Sequence, residues 1–499
     1  MDAFVNLGHG FAIALTPWNL IYALVGALIG TAIGVLPGLG TPTTIALLLP
    51  VTFKMEATSA VIMLAGIFYG AMYGGSTTSI LMNIPGEAAS IVTCLDGYKL
   101  ARQGRAGPAL GMAAMGSFVA GTVSVVGMTL VAPTLASFAL RFGPAEYASL
   151  VFLGLMLAVY LSEGSIVKGL TMAALGIVLG TVGIDPALGA PRFTFGLNRL
   201  MDGVDFVIAA MGLFGIAEIL TNLEAPEVRD IYKTSLHGLL PSREDWRRSW
   251  KAVVRGSGLG FFIGVLPGGG AIISSFVAYA FEKRFSKHPE EFGQGAIEGV
   301  AAPESANNAA STSSFIPLLT LGIPGNASIA MIFVALMIHG VQPGPLLIQQ
   351  YPNLFWGVIA SMYIGNIMLL CLNLPLIGMW VRLLTVPYHY LAVIIVTICI
   401  IGAYSINNAA FDVGMMMVFG VAGYFLRKAK FPAAPLVLAM ILGRILERSF
   451  MQSLQVSAAD LSIFIQEPIS ATLLLITAFV MLSPAVKWLW ARRRVAQPA

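Results

Sequence analysis

Charge is the scarcest thing in this sequence. Only 10% of its 499 residues are Asp, Glu, Lys or Arg, where a soluble domain carries roughly 25%. Mean hydropathy is +0.84, and no polar stretch is long enough for a separate soluble domain. A soluble globular class is therefore excluded. Cysteine is almost missing: Cys94, Cys371 and Cys399 have no C-x-x-C spacing, which argues against a disulfide scaffold or a thiolate metal centre. The five histidines, His9, His237, His288, His339 and His389, all fall at termini or in loops. An intramembrane hydrolase needs a base beside its hydroxyl nucleophile, and no imidazole stands near a Ser/Thr cluster. No Gly–Lys–Ser/Thr phosphate loop supports a nucleotide-driven pump, and nothing asks for a nucleic-acid partner. The start of the chain lacks a basic region with a short apolar core and cleavage site, so no removable signal peptide is expected.

What is abundant is apolar sequence punctuated by glycine and proline. Runs near the roughly 20 residues of a spanning helix recur along the whole length, and the 54 glycines and 27 prolines often sit inside them. One break occurs twice. Gly34–Val35–Leu36–Pro37–Gly38–Leu39–Gly40 returns as Gly264–Val265–Leu266–Pro267–Gly268–Gly269–Gly270. Broken backbone inside apolar sequence frees N–H and C=O groups, which survive in lipid only when buried in protein or lining a polar cavity. Matched breaks in two halves are the best sequence pointer to a transporter's binding site.

The rest of the order repeats too. Ser76–Thr77–Thr78–Ser79 is matched by Ser311–Thr312–Ser313–Ser314, and Ile84–Pro85–Gly86 by Ile323–Pro324–Gly325. Pro133, Pro144, Tyr147 and Tyr160 recur as Pro375, Pro387, Tyr390 and Tyr404. The chain divides into an interfacial segment 1–17, a repeat 18–223, a charged linker 224–255, a repeat 256–465, and a C-terminal helix with a basic tail 466–499. Equivalent loops differ in charge: Lys99, Arg102 and Arg105 face His339–Gly340–Val341–Gln342, while Arg427, Lys428 and Lys430 face Thr181 to Asp185. That pattern predicts an inverted second repeat. Both breaks and both Ser/Thr runs are read as re-entrant hairpins. Each repeat then crosses about five times, and the C-terminal helix brings an all-α polytopic protein to about 11 crossings. This threading puts Lys54, Arg141, Arg192, Arg199, Arg444 and Arg448 on one side and the other 22 of the 28 basic residues on the opposite one. The basic side is cytoplasmic by the positive-inside rule. The N-terminus is thus periplasmic and the C-terminus cytoplasmic, with Lys233 and Arg284 inside and Gln342 outside.

Candidate ligands cluster at the breaks. Helix ends there offer N–H groups to a carboxylate and C=O groups to a cation, and hydroxyls extend both roles. The substrate set comprises Gly38, Thr41, Thr43, Ser76, Thr77, Thr78, Asn83 and Pro85 in the first half. Gly268, Gly269, Gly270, Ser311, Thr312, Pro324 and Asn326 complete it in the second. The cation set is Ser76, Ser79, Glu304, Asn307, Asn308, Ser311 and Ser314. It suits sodium, because hard cations prefer oxygen ligands, and no transition metal is expected. For each hydroxyl the plain account is a bond back to its own helix turn. For the Glu298-to-Asn308 stretch it is a cytoplasmic loop. Lys168, Arg141 and Arg382 sit near helix ends, where snorkelling explains them.

The paired Gly–Val–Leu–Pro–Gly breaks stand beside further motifs: Tyr73–Gly74–Gly75–Ser76–Thr77–Thr78, Asn83–Ile84–Pro85–Gly86, Asp96–Gly97–Tyr98 and Ala302–Pro303–Glu304–Ser305–Ala306–Asn307–Asn308. Together they resemble the large membrane subunit of tripartite tricarboxylate transporters, over essentially the whole chain. The resemblance implies a bacterial inner-membrane permease taking up citrate-like carboxylates on an ion gradient, by symport. It implies a small four-helix membrane subunit and a periplasmic solute-binding protein as partners, and leaves room for a homodimer of the complex. It also implies an elevator-type mechanism. The residues alone reach only a duplicated, inverted, polar-cored secondary transporter. A proton-coupled carrier acting alone and an ion channel stay open beside it.

Overall fold

The computed structural model describes residues 2–36, 40–162, 165–185, 189–224, 238–266, 268, 270–384 and 386–495. It is helical almost throughout. The first helices are α1 (Asp2–Ala14), α2 (Pro17–Val35), α3 (Thr41–Thr52), α4 (Ala57–Met82) and α5 (Thr93–Arg102). They are followed by α6 (Ala106–Ala139), α7 (Pro144–Tyr160), α8 (Ile166–Gly180) and α9 (Phe206–Glu224). After residues 225–237 come α10 (Arg243–Val265), α11 (Gly270–Phe285), α12 (Glu298–Ser313), α13 (Phe315–Leu321) and α14 (Ala327–Ile338). The last are α15 (Pro352–Asn373), α16 (Ile377–Leu383), α17 (Tyr388–Asn407), α18 (Ala410–Lys428), α19 (Ala433–Val456) and α20 (Pro468–Val495). One small antiparallel ladder pairs Gly183–Ile184 with Pro191–Arg192.

The chain is a multi-pass membrane protein. Among the described residues seven helices are long and apolar enough to cross a bilayer, namely α2, α4, α6, α9, α15, α17 and α18. The other expected crossings fall short for visible reasons. α7 and α8 have 17 and 15 residues. α12 carries Glu298, Glu304, Asn307 and Asn308, and α19 carries Arg444, Glu447 and Arg448.

Glycine sets the tightest packing. Along α2, Gly26, Gly30 and Gly34 lie on the backbone of Met63, Ile67 and Ala71 of α4. Equal steps in the same direction mean that α2 and α4 run parallel, so α3 returns the chain to the side from which α2 started. Along α10, Gly256, Gly260 and Gly264 lie in the same way on Ala302, Ala306 and Ala310 of α12. Small residues four apart let two membrane helices approach backbone to backbone. The two triads are separated by the same distance in sequence as the two breaks, and each triad ends in the first glycine of its break.

Helix ends repeat as well. α4 ends at Asn83 with φ 58° and α13 at Gly322 with φ 70°, both left-handed, and each is followed by Ile–Pro–Gly. Gly86 is seated on the carbonyl of Gly34, and the Gly268 N–H donates to the Gly325 carbonyl at 2.8 Å. Each break therefore abuts the Pro–Gly of its own half.

Two expectations change. The Ser/Thr runs are not hairpins. α4 continues through Ser76–Ser79 to Met82, and α12 through Ser311 to Ser313. The hydroxyls of Ser79, Ser311 and Thr312 donate to the carbonyls four residues back, at 2.9, 2.8 and 3.0 Å, so they stay with the helix rather than breaking it. The stretch from Glu298, counted as a crossing with a loop as its plain alternative, is a helix buried along its length. Finally, α10 begins at Arg243, inside the stretch that reads as linker, because Ser242 and Asp245 form a reciprocal N-terminal cap at 2.8–3.1 Å. Lys233 lies outside the described residues.

The helices form two compact units. One comprises Met1–Ser137 with Val207–Lys428, the other Phe138–Phe206 with Ala429–Ala499. Each draws on both halves of the sequence. In the second, Gly176 and Gly180 of α8 lie on Leu436 and Met440 of α19 in parallel register, and Arg192 pairs with Glu447 at 2.7 Å. In the first, Gly212 of α9 lies on Met416 of α18 and Gly420 on Ile216, again parallel.

Charged side chains of the first unit gather at one end of its helices. Arg105 pairs with Asp245 at 2.5 Å, Arg248 with Glu291 and Glu298 at 2.5 and 2.9 Å, and Arg255 with Glu282 at 2.5 Å. Lys99 donates to the Gly293 carbonyl. The basic loops of the two halves thus meet. Asp96 anchors the same end: its buried Oδ1 accepts N–H groups of Gly293, Gly295 and Ala296 at 2.8–2.9 Å, and its Oδ2 the Tyr279 hydroxyl at 2.9 Å. The Asp96–Gly97–Tyr98 motif is thereby a clamp on the entry to α12.

Candidate substrate and cation site

α4 and α12 cross in opposite directions, Phe68 packing on Phe315 and Ser76 meeting Glu304. That crossing creates the polar centre of the first unit. Glu304 is fully buried (0% exposed). Its Oε2 accepts the Ser76 hydroxyl at 2.5 Å, and its Oε1 accepts the hydroxyl of Thr93, the first residue of α5. Its main-chain carbonyl accepts Asn308 Nδ2 at 3.1 Å, and the same Nδ2 donates to Ser117 Oγ of α6 at 2.7 Å. One turn along, Asn307 is also 0% exposed, and neither its Oδ1 nor its Nδ2 has a partner. A buried carboxamide without partners is costly, and this one has both its donor and its acceptor capacity uncommitted. Carboxylate, hydroxyl and amide oxygens form a hard-cation donor set. Lys and Arg are absent from it.

Beside Ser76 lies a small cleft with room for about one water-sized group, lined by Tyr73, Ser76, Thr77, Leu110, Ala113, Ala114, Asn373 and Ile377. The Tyr73 hydroxyl is committed to Asn366 Oδ1 at 2.6 Å. Asn373 donates its Nδ2 to Leu369 O at 2.9 Å and leaves its buried Oδ1 without a partner. Trp380 donates its indole N–H to the Leu372 carbonyl at 2.9 Å, tying α16 to the end of α15.

The N-terminus of α3 is a second polar locus. Thr41 donates its N–H to Glu87 Oε1 at 3.0 Å, and its hydroxyl to the same atom. Thr43 donates to Glu218 Oε2 at 3.0 Å, and Arg427 stands 3.7 Å from that oxygen. Glu218 follows a π-helical stretch of α9, Met211–Ile216, a local widening that recurs at functional sites.

The remaining sequence candidates take other places. Thr78 donates to the Val35 carbonyl at 2.6 Å, closing the last turn of α2, and Ser79 also reaches Ser90 at 2.8 Å. Asn83 is exposed, Pro85 half-buried and Pro324 buried. Asn326 caps α14 by accepting the Ile329 N–H at 3.0 Å. Gly268 and Gly270 have φ of 80° and 47°, values that favour glycine. Gly38 and Gly269 lie outside the described residues. Ser311, Thr312 and Ser314 all bond to carbonyls of their own helix at 2.7–3.0 Å. The structure thus brings together Ser76, Thr77, Glu304, Asn307 and Asn308, while the second hydroxyl run stays turned on itself.

Sequence reasoning passed over Thr93, Ser117, Glu87 and Glu218. Glu87 had a signal: it follows Pro85–Gly86 as Asn326 follows Pro324–Gly325, and both side chains accept helix N–H groups. Thr93, Ser117 and Glu218 had none, since only the helix crossings bring them to their partners.

Residues 20–438 match the family model described as the tripartite tricarboxylate transporter TctA family. The chain belongs to that family. It is therefore a permease of a transporter family. A full-length relative is the uncharacterized 52.8 kDa protein in the TAR-I ttuC' 3' region of Agrobacterium vitis. It is 50% identical over 490 residues, covering 98% of each chain. A protein in the TAR-II ttuC' 3' region of the same organism is 50% identical over 231 residues, 46% of this chain and 96% of its own. No solved structure matches.

Proposed function

We propose that this permease takes up tricarboxylates or related organic carboxylates across the bacterial inner membrane by sodium symport. A small four-helix subunit and a periplasmic binding protein serve as its partners. The observation that carries the reading is the buried Glu304, held by Ser76 and Thr93 and flanked by the small cleft and the unpartnered Asn307. Ionisable groups at such depth are expensive and mark transport pathways. In this reading the carboxylate of Glu304, with oxygens of Ser76, Thr93 and Asn307, holds sodium. Thr77, Ser76 and the amide of Asn373 orient the substrate in the cleft.

Inversion of the repeats is supported by packing direction. α8 is the fourth crossing of its half and α19 the fifth of the other. Such a pair runs parallel only if the halves are inverted, and the same holds for α18 with α9. The antiparallel α4 and α12, equivalent first crossings, agree. α3, with 12 residues, is roughly 18 Å long, short of the ~30 Å hydrocarbon core, which suits a re-entrant hairpin. An elevator movement is supported by the gathering of both breaks and both polar helices in one compact unit drawn from both halves. A second reading, proton coupling, is favoured by Glu304 itself, a titratable group at the centre of the site.

In this reading capture of a dilute ligand falls to the binding protein. Its cleft lies among membrane helices, so the test is uptake of labelled citrate below micromolar concentration, with both membrane subunits reconstituted. Uptake is expected to rise by about 100-fold when the binding protein is added, the scale on which a second linked binding step raises effective affinity. Equal rates with and without it would make this an autonomous carrier.

A further inference from the structure

We propose that Ser76 links the two occupants of the site: a substrate carboxylate in the cleft and a cation at Glu304 raise each other's affinity through its single hydroxyl proton. The inference rests on the carrier reading above. Ser76 is the residue common to both places. Its Oγ donates to Glu304 Oε2 at 2.5 Å, and the same side chain forms part of the cleft wall.

A serine hydroxyl has one proton to give. Leu110, Ala113, Ala114 and Ile377 offer the cleft no donor, and Tyr73 gives its proton to Asn366. A carboxylate entering the cleft therefore draws on the hydroxyls of Ser76 and Thr77 and on the second N–H of Asn373 Nδ2, whose first is given to Leu369 O. When Ser76 turns its proton to that carboxylate, Glu304 keeps only Thr93 as a side-chain donor. It is fully buried, and a buried carboxylate stripped of a donor favours a positive partner. Asn307, with its amide oxygen unpartnered one turn away, adds a further ligand for that partner. The reverse order holds equally. A cation at Glu304 satisfies the carboxylate, frees the Ser76 proton and so strengthens carboxylate binding in the cleft. Linkage between two binding events is reciprocal, and here its sign is positive. No covalent step is involved; one hydrogen bond changes acceptor.

The experiment measures citrate binding to the full chain in lipid nanodiscs by calorimetry, at low and high sodium with ionic strength held by choline. A second series varies pH in sodium-free buffer, so that either cation is detected. Wild-type citrate affinity is expected to rise about tenfold or more with the coupling cation, within the usual range of such linkage. In Ser76→Ala the affinity is expected to change by less than about twofold between the same conditions. Thr93→Ala touches Glu304 but not the cleft and is expected to retain the wild-type ratio at a higher cation concentration. Ser76→Cys keeps a weak donor of similar shape and falls between. A full cation dependence in both Ser76 variants would overturn the proposal while leaving the carrier intact. A wild type whose citrate affinity ignores both sodium and pH would overturn the coupled-carrier reading and the proposal with it.

Discussion

Glu304→Gln is expected to lower gradient-driven carboxylate uptake by about 10- to 100-fold, the equivalent of losing charge-assisted hydrogen bonds worth ~1.5–3 kcal/mol. Glutamine keeps the shape of the side chain, and its amide oxygen still accepts one of the two hydroxyls. What it lacks is the negative charge that a cation would answer and the second acceptor for Ser76 or Thr93. The protein should still fold, because removing a buried charge relieves desolvation rather than adding to it. Uptake into proteoliposomes, normalised to folded protein, is the readout. An E304Q protein that transports like wild type would remove Glu304 from the coupling chemistry and leave it a structural carboxylate.

The second large effect is on stability. Gly264→Val is expected to destabilise the fold by about 3 kcal/mol or more, at or above the upper end of ordinary overpacking. A Cβ at this position would collide with the Ser313 hydroxyl and the Ala310 carbonyl, and would stand 2.5 Å from the Ala310 Cα. These are largely backbone atoms of a helix packed on every side, so they have nowhere to go. Gly258 lies on the same α10 with nothing within 4 Å of its built Cβ, and Gly258→Val is the control. Thermal unfolding in detergent should show a large loss for the first substitution and little for the second. Equal, small losses would mean that α10 and α12 are not pressed together as described.

Much of this architecture was legible in the sequence, because duplication writes each feature twice. The Ile–Pro–Gly turns recur as structure, and Gly34 and Gly268, a described residue from each of the two breaks, both meet such a turn. Each break sits against its own Pro–Gly. The glycine triads were equally visible but went unread, since isolated glycines in apolar helices look like kinks until a partner helix is known. The misreading of the Ser/Thr runs has a clear cause. A hydroxyl in an apolar segment is satisfied either by a broken helix or by the carbonyl a turn behind it, and sequence does not separate the two. For Ser311, Thr312 and Ser314 the helix wins. For Ser76 it does not, because the antiparallel partner delivers Glu304 within 2.5 Å. That contact spans the two halves of the chain, and neither Thr93 nor Glu218 announces its partner locally. The polar centre is a product of the crossing of α4 with α12, not of a motif.

The central claim is that this chain is a cation-coupled carboxylate carrier, and concentrative uptake tests it most directly. The chain, its small subunit and the binding protein are reconstituted, labelled citrate is set equal on both sides, and an inward sodium gradient is imposed. The account predicts that citrate accumulates inside well above the outer concentration and that dissipating the gradient releases it. Citrate that stays at its external concentration under both sodium and proton gradients would contradict the account and return the chain to a passive pathway.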